Sequence, residues 1–121
     1  MKKLTIISFF LLVGLTLPYF VQAQALPPGE KLKIEALIKQ VAALTDATFF
    51  RNGAGYNAII AVTFLRAKWE ANAAKVKTAR DFIENIASIS GAGKPYLIRL
   101  KDGREFTGRD FLLAELQKLN I

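Results

Sequence analysis

Apolar positions recur at intervals of three and four residues along much of the chain, which is the period of an amphipathic helix. From Glu30 to Leu44 this period predicts a first helix with one buried face. From Ala58 to Lys75 two apolar stripes share one segment. A helix that is apolar on two sides is expected at the centre of a fold. The stripes comprise Ile59, Val62, Leu65, Trp69, Ala73 and Val76, and Ile60, Phe64, Ala67 and Ala71.

Residues with short polar side chains predict where the remaining helices begin. Asn57 is expected to cap the second helix. Thr78 and Thr107 are each followed three residues later by an acid, which is the capping-box pattern. The third helix is expected to end at Gly91 in a left-handed conformation. The predicted buried residues of these two helices are Phe82, Ile83, Ile86, Ala87 and Ile89, and Phe111, Leu112, Leu116 and Leu119.

A first β-hairpin is predicted directly before the second helix. The segment Thr48–Arg51 is aromatic and β-prone, and the Asn52-Gly53 pair after it is a strong signal for a two-residue hairpin turn. The chain is therefore expected to return through residues 54–56.

A second hairpin is predicted from residues 96–100 and 104–107. A three-residue loop with Gly103 in the left-handed conformation gathers the apolar side chains of both strands on one face, whereas a two-residue loop scatters them. The same register sets Arg99 opposite Glu105 on the polar face. The expected pairs are Leu100 with Arg104, Ile98 with Phe106 and Tyr96 with Gly108.

These elements predict an α+β fold of four helices and two β-hairpins, in which the hairpins join into one small antiparallel sheet covered by helices. Each half of the chain has the order helix, hairpin, helix. With a shift of fifty residues, Asn52-Gly53 aligns with Asp102-Gly103, Tyr56 with Phe106 and Asn57 with Thr107. Turns, aromatic residues and caps are common, so both an ancient duplication and chance remain open.

The first 23 residues have the pattern of a cleavable signal peptide. Lys2 and Lys3 precede an uncharged apolar run that is shorter than the roughly 20 residues of a membrane-spanning helix. Small residues predict cleavage after Ala23 or Ala25. Residues 24–29 are expected to be a lead-in and residues 30–121 a single domain. Because the chain has no cysteine, a lipid anchor at the cleavage point is excluded and no stable membrane anchor is expected.

Composition limits the chemistry of the remaining 98 residues. Cleavage after Ala23 removes two lysines and no acid, so the formal charge falls from +7 to +5. This charge favours acidic partners of the cell envelope, although it also serves solubility. The absence of His and Cys excludes Ser-His-Asp and Cys-His catalytic sets and Cys/His zinc sites. No cofactor, metal or nucleic-acid partner is expected.

The strongest candidate for a binding surface is a set of basic and aromatic residues around the two hairpins and on the second helix. If the hairpins share a sheet, several of these residues could line one surface for an acidic or sugar-like ligand. The alternative is that the aromatic rings belong to the core and the cations are solvated. The candidates are Arg51, Tyr56, Arg66, Lys68, Lys94, Tyr96 and Arg99.

Without His and Cys, an enzyme would have to use carboxylates, Lys, Tyr, Arg or backbone groups, and the acids are the candidates for a catalytic pair. A glycosidase-like pair depends on a separation in space that the sequence does not give. Each acid also has a structural explanation in a cap, a turn or an ion pair. The acids considered are Glu70, Asp81, Glu84, Asp102, Glu105, Asp110 and Glu115.

A series of segments along nearly all of the chain after residue 23 forms a recognisable pattern: 48–53, Tyr56, 65–68, 77–83, 86–88, 93–96 and 102–103. Together these segments resemble the YfeK-like family of small exported proteins of Gram-negative bacteria. The resemblance implies a periplasmic location and a domain of unknown function, and it carries over no catalytic or binding residue. Relatives often have Ser at the position of Asn57, His at Phe64 and an acid at Arg80, so family chemistry that needs an imidazole could not operate here.

The sequence therefore predicts a non-enzymatic periplasmic protein that binds an envelope component or a partner protein. The alternative is a carboxylate-based hydrolase that acts on cell-wall glycan. The oligomeric state is left open.

Overall fold

The alternation of helices and hairpins is present in a computed structural model, which describes residues 26–121. The α+β class is confirmed, and the proposed signal peptide with its cleavage sites lies outside the described residues. The elements are α1 (Pro28–Ala42), β1 (Thr48–Arg51), β2 (Ala54–Tyr56), α2 (Ala58–Ala71), a 3₁₀ turn (Ala73–Lys75), α3 (Ala79–Asn85), β3 (Leu97–Arg99), β4 (Glu105–Thr107) and α4 (Gly108–Lys118).

As predicted, the two hairpins form one antiparallel sheet. Its strand order is β2-β1-β3-β4. Asn52 and Gly53 have φ angles of 54° and 83°, as the two-residue turn requires. In the second hairpin Gly103 has a φ of 94°, and the backbone N–H of Leu100 donates to the carbonyl of Arg104 at 2.8 Å. The predicted three-residue loop and its register are therefore confirmed.

The pairing of β1 with β3 is symmetric about one residue pair. Phe49 pairs with Ile98. The two residues occupy equivalent positions in their hairpins once the extra loop residue of the second hairpin is allowed for. On the same face Tyr56 lies opposite Phe49, and Phe106 lies opposite Ile98. The helices cover this inner face. The outer face carries Phe50, Leu97, Arg99 and Glu105.

Three of the helices begin at the predicted caps. The Asn57 side chain accepts a hydrogen bond from the backbone N–H of Ile60 at 3.0 Å. Thr78 and Thr107 accept from the N–H of Asp81 and Asp110 in the same way, each at 3.0 Å. These bonds satisfy amide groups that have no partner within the helix.

The helix at the centre of the fold is α1, and the prediction for α2 was wrong. Ile34 and Leu37 of α1 are fully buried and pack with α3 and α4 in the core cluster. On α2 only Ala58 and Ala61 are buried, whereas Ile59 is 77% exposed and Ile60 is 41% exposed. Apolar residues on two sides of α2 therefore do not mean that both sides are covered.

Two helix ends also differ from the prediction. The second helix stops at Ala71, because Asn72 leaves the helical conformation and its side-chain amide donates to the carbonyl of Lys68. The third helix stops at Asn85, well before Gly91. The left-handed residue that follows it is Gly93, with a φ of 82°, and Ile89 is 49% exposed rather than buried.

Candidate functional site

A pocket lies between the inner face of the sheet and α2. It has a volume of about 60 Å³ and opens to solvent on one side. Apart from two cations and two tyrosines, its lining is apolar. The lining residues are Val41, Phe49, Phe50, Arg51, Tyr56, Ala61, Phe64, Leu65, Lys68, Ala87, Tyr96, Leu97, Ile98, Gly108 and Leu112.

Phe64 of α2 organises one wall of this pocket. The ring of Tyr56 meets it edge to face, with the centroids 5.0 Å apart and the planes at 86°. The guanidinium carbon of Arg51 lies 4.5 Å from the centroid of the same ring. Edge-to-face rings and a cation over a ring face are both favourable arrangements, and they orient Arg51 and Tyr56 towards α2.

Lys68 also lines the pocket, one helical turn after Phe64 on the same face of α2. Its Nζ donates to Tyr96 Oη at 3.0 Å and to the backbone carbonyl of Ile89 at 2.5 Å. It also lies 5.0 Å from the centroid of the Tyr96 ring. The lysine thus links α2 to the segment that enters β3, and it keeps one positive charge beside the pocket.

Among residues 26–121, Arg51 is the one arginine without a carboxylate partner. Lys68 has none either, as is the case for most lysines in that range. Both side chains are half-buried. Long basic side chains of this kind pack their stems on apolar surface and keep the charge near water. We call the pocket with these two cations, Tyr56 and Tyr96 the basic–aromatic pocket.

Arg66, also a candidate, lies elsewhere and has an acidic partner. Its guanidinium donates two hydrogen bonds to Glu35 of α1, at 2.7 and 3.2 Å. These bonds lower the pKa of Glu35 and raise that of Arg66. The pair fastens α2 to α1.

Arg99 and Lys94 lie on the outer face of the sheet, away from the pocket. Arg99 is held by two hydrogen bonds to Glu105, at 2.9 and 3.1 Å, as predicted, and lies over the ring of Phe50 at 4.7 Å. Lys94 lines a separate groove there together with Pro95 and Leu97. The structure therefore brings together Arg51, Tyr56, Lys68 and Tyr96, and separates them from the other three candidates.

Sequence reasoning missed Phe64, Ala61 and Leu65 as parts of the site. The spacing of four residues between Phe64 and Lys68 puts both side chains on one face of α2, and the sequence alone could have indicated this. The contact of Phe64 with Arg51 depends on how α2 packs on the sheet, which no local pattern indicates.

Several carboxylates among residues 26–121 accept hydrogen bonds that favour their ionised form. The pKa of Glu30 is lowered by the backbone N–H of Ala79, and the pKa of Glu84 by the hydrogen bonds from Arg109. The pKa of Asp102 is also lowered, first by the backbone N–H of Arg104. Within the same range no group of acids could hold a metal ion, and no helix is long and apolar enough to cross a membrane.

The fold and the site define a small α+β domain with one basic–aromatic pocket. Residues 28–120 match the family described as Family of unknown function (DUF5329), and the chain belongs to this family. It is 38% identical over 97 residues to the uncharacterised protein YfeK of Salmonella typhimurium strain LT2. The matched region covers 79% of this chain and 77% of that protein. No solved structure matches the chain.

Proposed function

We propose that this protein is exported to the periplasm and acts there as a non-enzymatic binding protein, which recognises an anionic envelope component or an acidic partner protein at the basic–aromatic pocket. Export rests on the signal-peptide pattern of residues 1–23. The observation that carries the binding role is the presence of two half-buried cations, Arg51 and Lys68, beside an apolar pocket and without a carboxylate partner in the described range.

The second half of the chain gives an internal comparison that supports this role. Arg51 pairs with Ala54 at the start of the first turn, and Leu100 pairs with Arg104 at the start of the second, where the loop is one residue longer. Leu100 is therefore equivalent to Arg51, and Phe106 is equivalent to Tyr56. The fold therefore accepts apolar residues at both positions. A cation and a phenol at these two positions in the first hairpin alone support a role in binding a ligand.

The alternative, a carboxylate-based hydrolase, has less support. A glycosidase needs an acid whose pKa is raised so that it carries a proton at neutral pH. Glu30, Glu35, Glu84 and Asp102 all have pKa values moved in the opposite direction, each mainly by a hydrogen bond to the ionised carboxylate. These acids are suited to ion pairs and helix contacts.

The experiment is capture from a periplasmic and cell-wall extract at low and at high salt. The purified protein is compared with the double variant Arg51→Met/Lys68→Met, which keeps the apolar stems and removes the charges. The control Lys39→Met/Arg80→Met removes the same charge at exposed positions outside the pocket. We expect to recover a component that binds to the unchanged protein and to the control but not to the pocket variant. High salt should weaken the binding of this component. Equal retention by both double variants would refute the assignment of the pocket.

A further inference from the structure

The interior of the basic–aromatic pocket determines which part of a ligand could enter it. Most of its lining is aliphatic or aromatic, and its polar atoms belong to side chains that already reach solvent or each other. A polar group that entered the pocket would lose its hydrogen bonds to water without replacement. The part of the ligand inside the pocket must therefore be apolar.

The size of the pocket narrows this part further. Its volume of about 60 Å³ is well below the roughly 150 Å³ of a cavity that holds a benzene ring. A ring is too large unless the pocket widens. The end of an unbranched alkyl chain is narrow enough to enter.

Apolar surface also continues outside the pocket. Ile60 lies one turn before Phe64 on α2 and is 41% exposed, and Ile89, whose carbonyl accepts from Lys68, is 49% exposed. The remaining methylene groups of a chain could lie against these side chains. Arg51 and Lys68 would then face the charged end of the same molecule.

We propose that the ligand of the basic–aromatic pocket is a single-chain anionic amphiphile, with the chain end in the pocket and a carboxylate or phosphate head group beside Arg51 and Lys68. This inference rests on the proposed binding function and gives it a ligand class. Charge complementarity selects the head group, and the apolar lining with its small volume selects the chain.

Octanoate is a suitable probe because it carries both features and stays monomeric at useful concentrations. Binding to the purified protein is measured by calorimetry and by the amide shifts of Phe64, Ala87 and Tyr96. The comparison ligands are n-octanol, which lacks the charge, and acetate, which lacks the chain. We expect octanoate to bind at least about fivefold more tightly than n-octanol, as one favourable ion contact allows, and acetate not to saturate.

Variants separate the head group from the chain. Arg51→Met and Lys68→Met should each weaken octanoate binding about threefold to tenfold and weaken n-octanol binding by a smaller factor, since a contact to a charged group is removed. The matched control Arg80→Met should change neither octanoate binding nor n-octanol binding. Ala61→Val places two methyl groups at the lining and should weaken both octanoate and n-octanol. Circular dichroism checks that Ala61→Val folds, and the two Met variants test the proposal without it.

The outcomes that overturn the inference are distinct. Octanol binding equal to octanoate binding would refute the head-group contact, and acetate binding equal to octanoate binding would refute the chain contact. Binding to vesicles of phosphatidylglycerol without binding to octanoate would mean recognition of a membrane surface, which also overturns the inference. If octanoate fails while capture still depends on Arg51 and Lys68, the proposed function stands and only the ligand class is wrong. If both fail, both proposals fall.

Discussion

At the turn of the first hairpin, Asn52 combines two tasks. It is the one residue other than glycine with a positive φ among residues 26–121. Its side-chain oxygen also accepts a hydrogen bond from the buried Ser90 hydroxyl at 2.6 Å. The Ser90 oxygen in turn accepts from the backbone N–H groups of Ala92 and Lys94. Asn52 thus joins the first turn to the loop that leads into β3.

Substitution of Asn52 can separate these two tasks. Asn52→Gly keeps the left-handed conformation and loses the bond to Ser90, so we expect a loss of about 1 kcal/mol in the free energy of unfolding. Asn52→Ala loses the bond and also strains the turn, so the loss should reach about 2 to 3 kcal/mol. Urea unfolding measures both. Equal losses for the two variants would mean that the positive φ costs nothing.

At the scale of elements, the central helix of the core is the one whose apolar face the other elements cover. Leu37 of α1 has no exposed surface, whereas Ile59 of α2 is 77% exposed. We expect Leu37→Ala to lower the free energy of unfolding by about 2 to 5 kcal/mol, because it removes buried methyl groups and leaves a cavity. The matched change Ile59→Ala should stay within about 0.5 kcal/mol. Similar effects in chemical denaturation would contradict the central place of α1.

The elements that could be predicted are those determined by neighbours in the chain. The caps at Asn57, Thr78 and Thr107 and the turn at Asn52-Gly53 depend on a few adjacent residues, and all were predicted correctly. The register of β3 and β4 followed from side-chain alternation.

Features that depend on distant partners were predicted poorly. The stripe with Ile60 and Phe64 is apolar, but no sequence pattern says that the sheet covers only part of it and leaves a pocket. The same limit explains the candidate site. The seven residues shared a chemical character, yet Arg66 pairs with Glu35 on another helix, which no local pattern indicates.

At the scale of the molecule, ion pairs make the stability depend on pH in one direction. Glu30, Glu35 and Glu84 have folded pKa values below their ordinary value of 4.5 because they accept hydrogen bonds in the fold. Their contribution is therefore complete above the unfolded pKa and is lost as the pH falls through the folded pKa. The chain has no His and no Cys, so it lacks the side chains that ordinarily change charge near neutral pH.

We expect the free energy of unfolding to be flat between pH 6 and pH 8 and to fall by roughly 1 to 2 kcal/mol below about pH 5, since the pairs are partly exposed and screened. Urea titrations at several pH values measure this. Glu84→Gln should reduce the loss in acid, because it removes the carboxylate that accepts from Arg109. Glu70→Gln is the control, since Glu70 is exposed and has no ion pair in the described range. An equal reduction in both variants would refute the role of Glu84.

The symmetry of the sheet offers a way to remove the site without disturbing the fold. Arg51→Leu/Tyr56→Phe gives the first hairpin the residues that the second hairpin has in Leu100 and Phe106. Because the second hairpin folds with these residues, we expect the free energy of unfolding to change by less than about 0.5 kcal/mol or to rise. Capture of the envelope component should be lost.

The reciprocal variant Leu100→Arg/Phe106→Tyr is the matched control for this exchange. It adds a cation and a phenol to the second hairpin, where Phe106 stacks on Phe111 with the centroids 5.9 Å apart and Ala114 stands at the position equivalent to Phe64. Ala114 offers no ring to orient the new arginine as Phe64 orients Arg51, so capture should stay at the level of the unchanged protein. A large loss of stability in Arg51→Leu/Tyr56→Phe would mean that Arg51 and Tyr56 serve folding, and the internal comparison would no longer support a ligand.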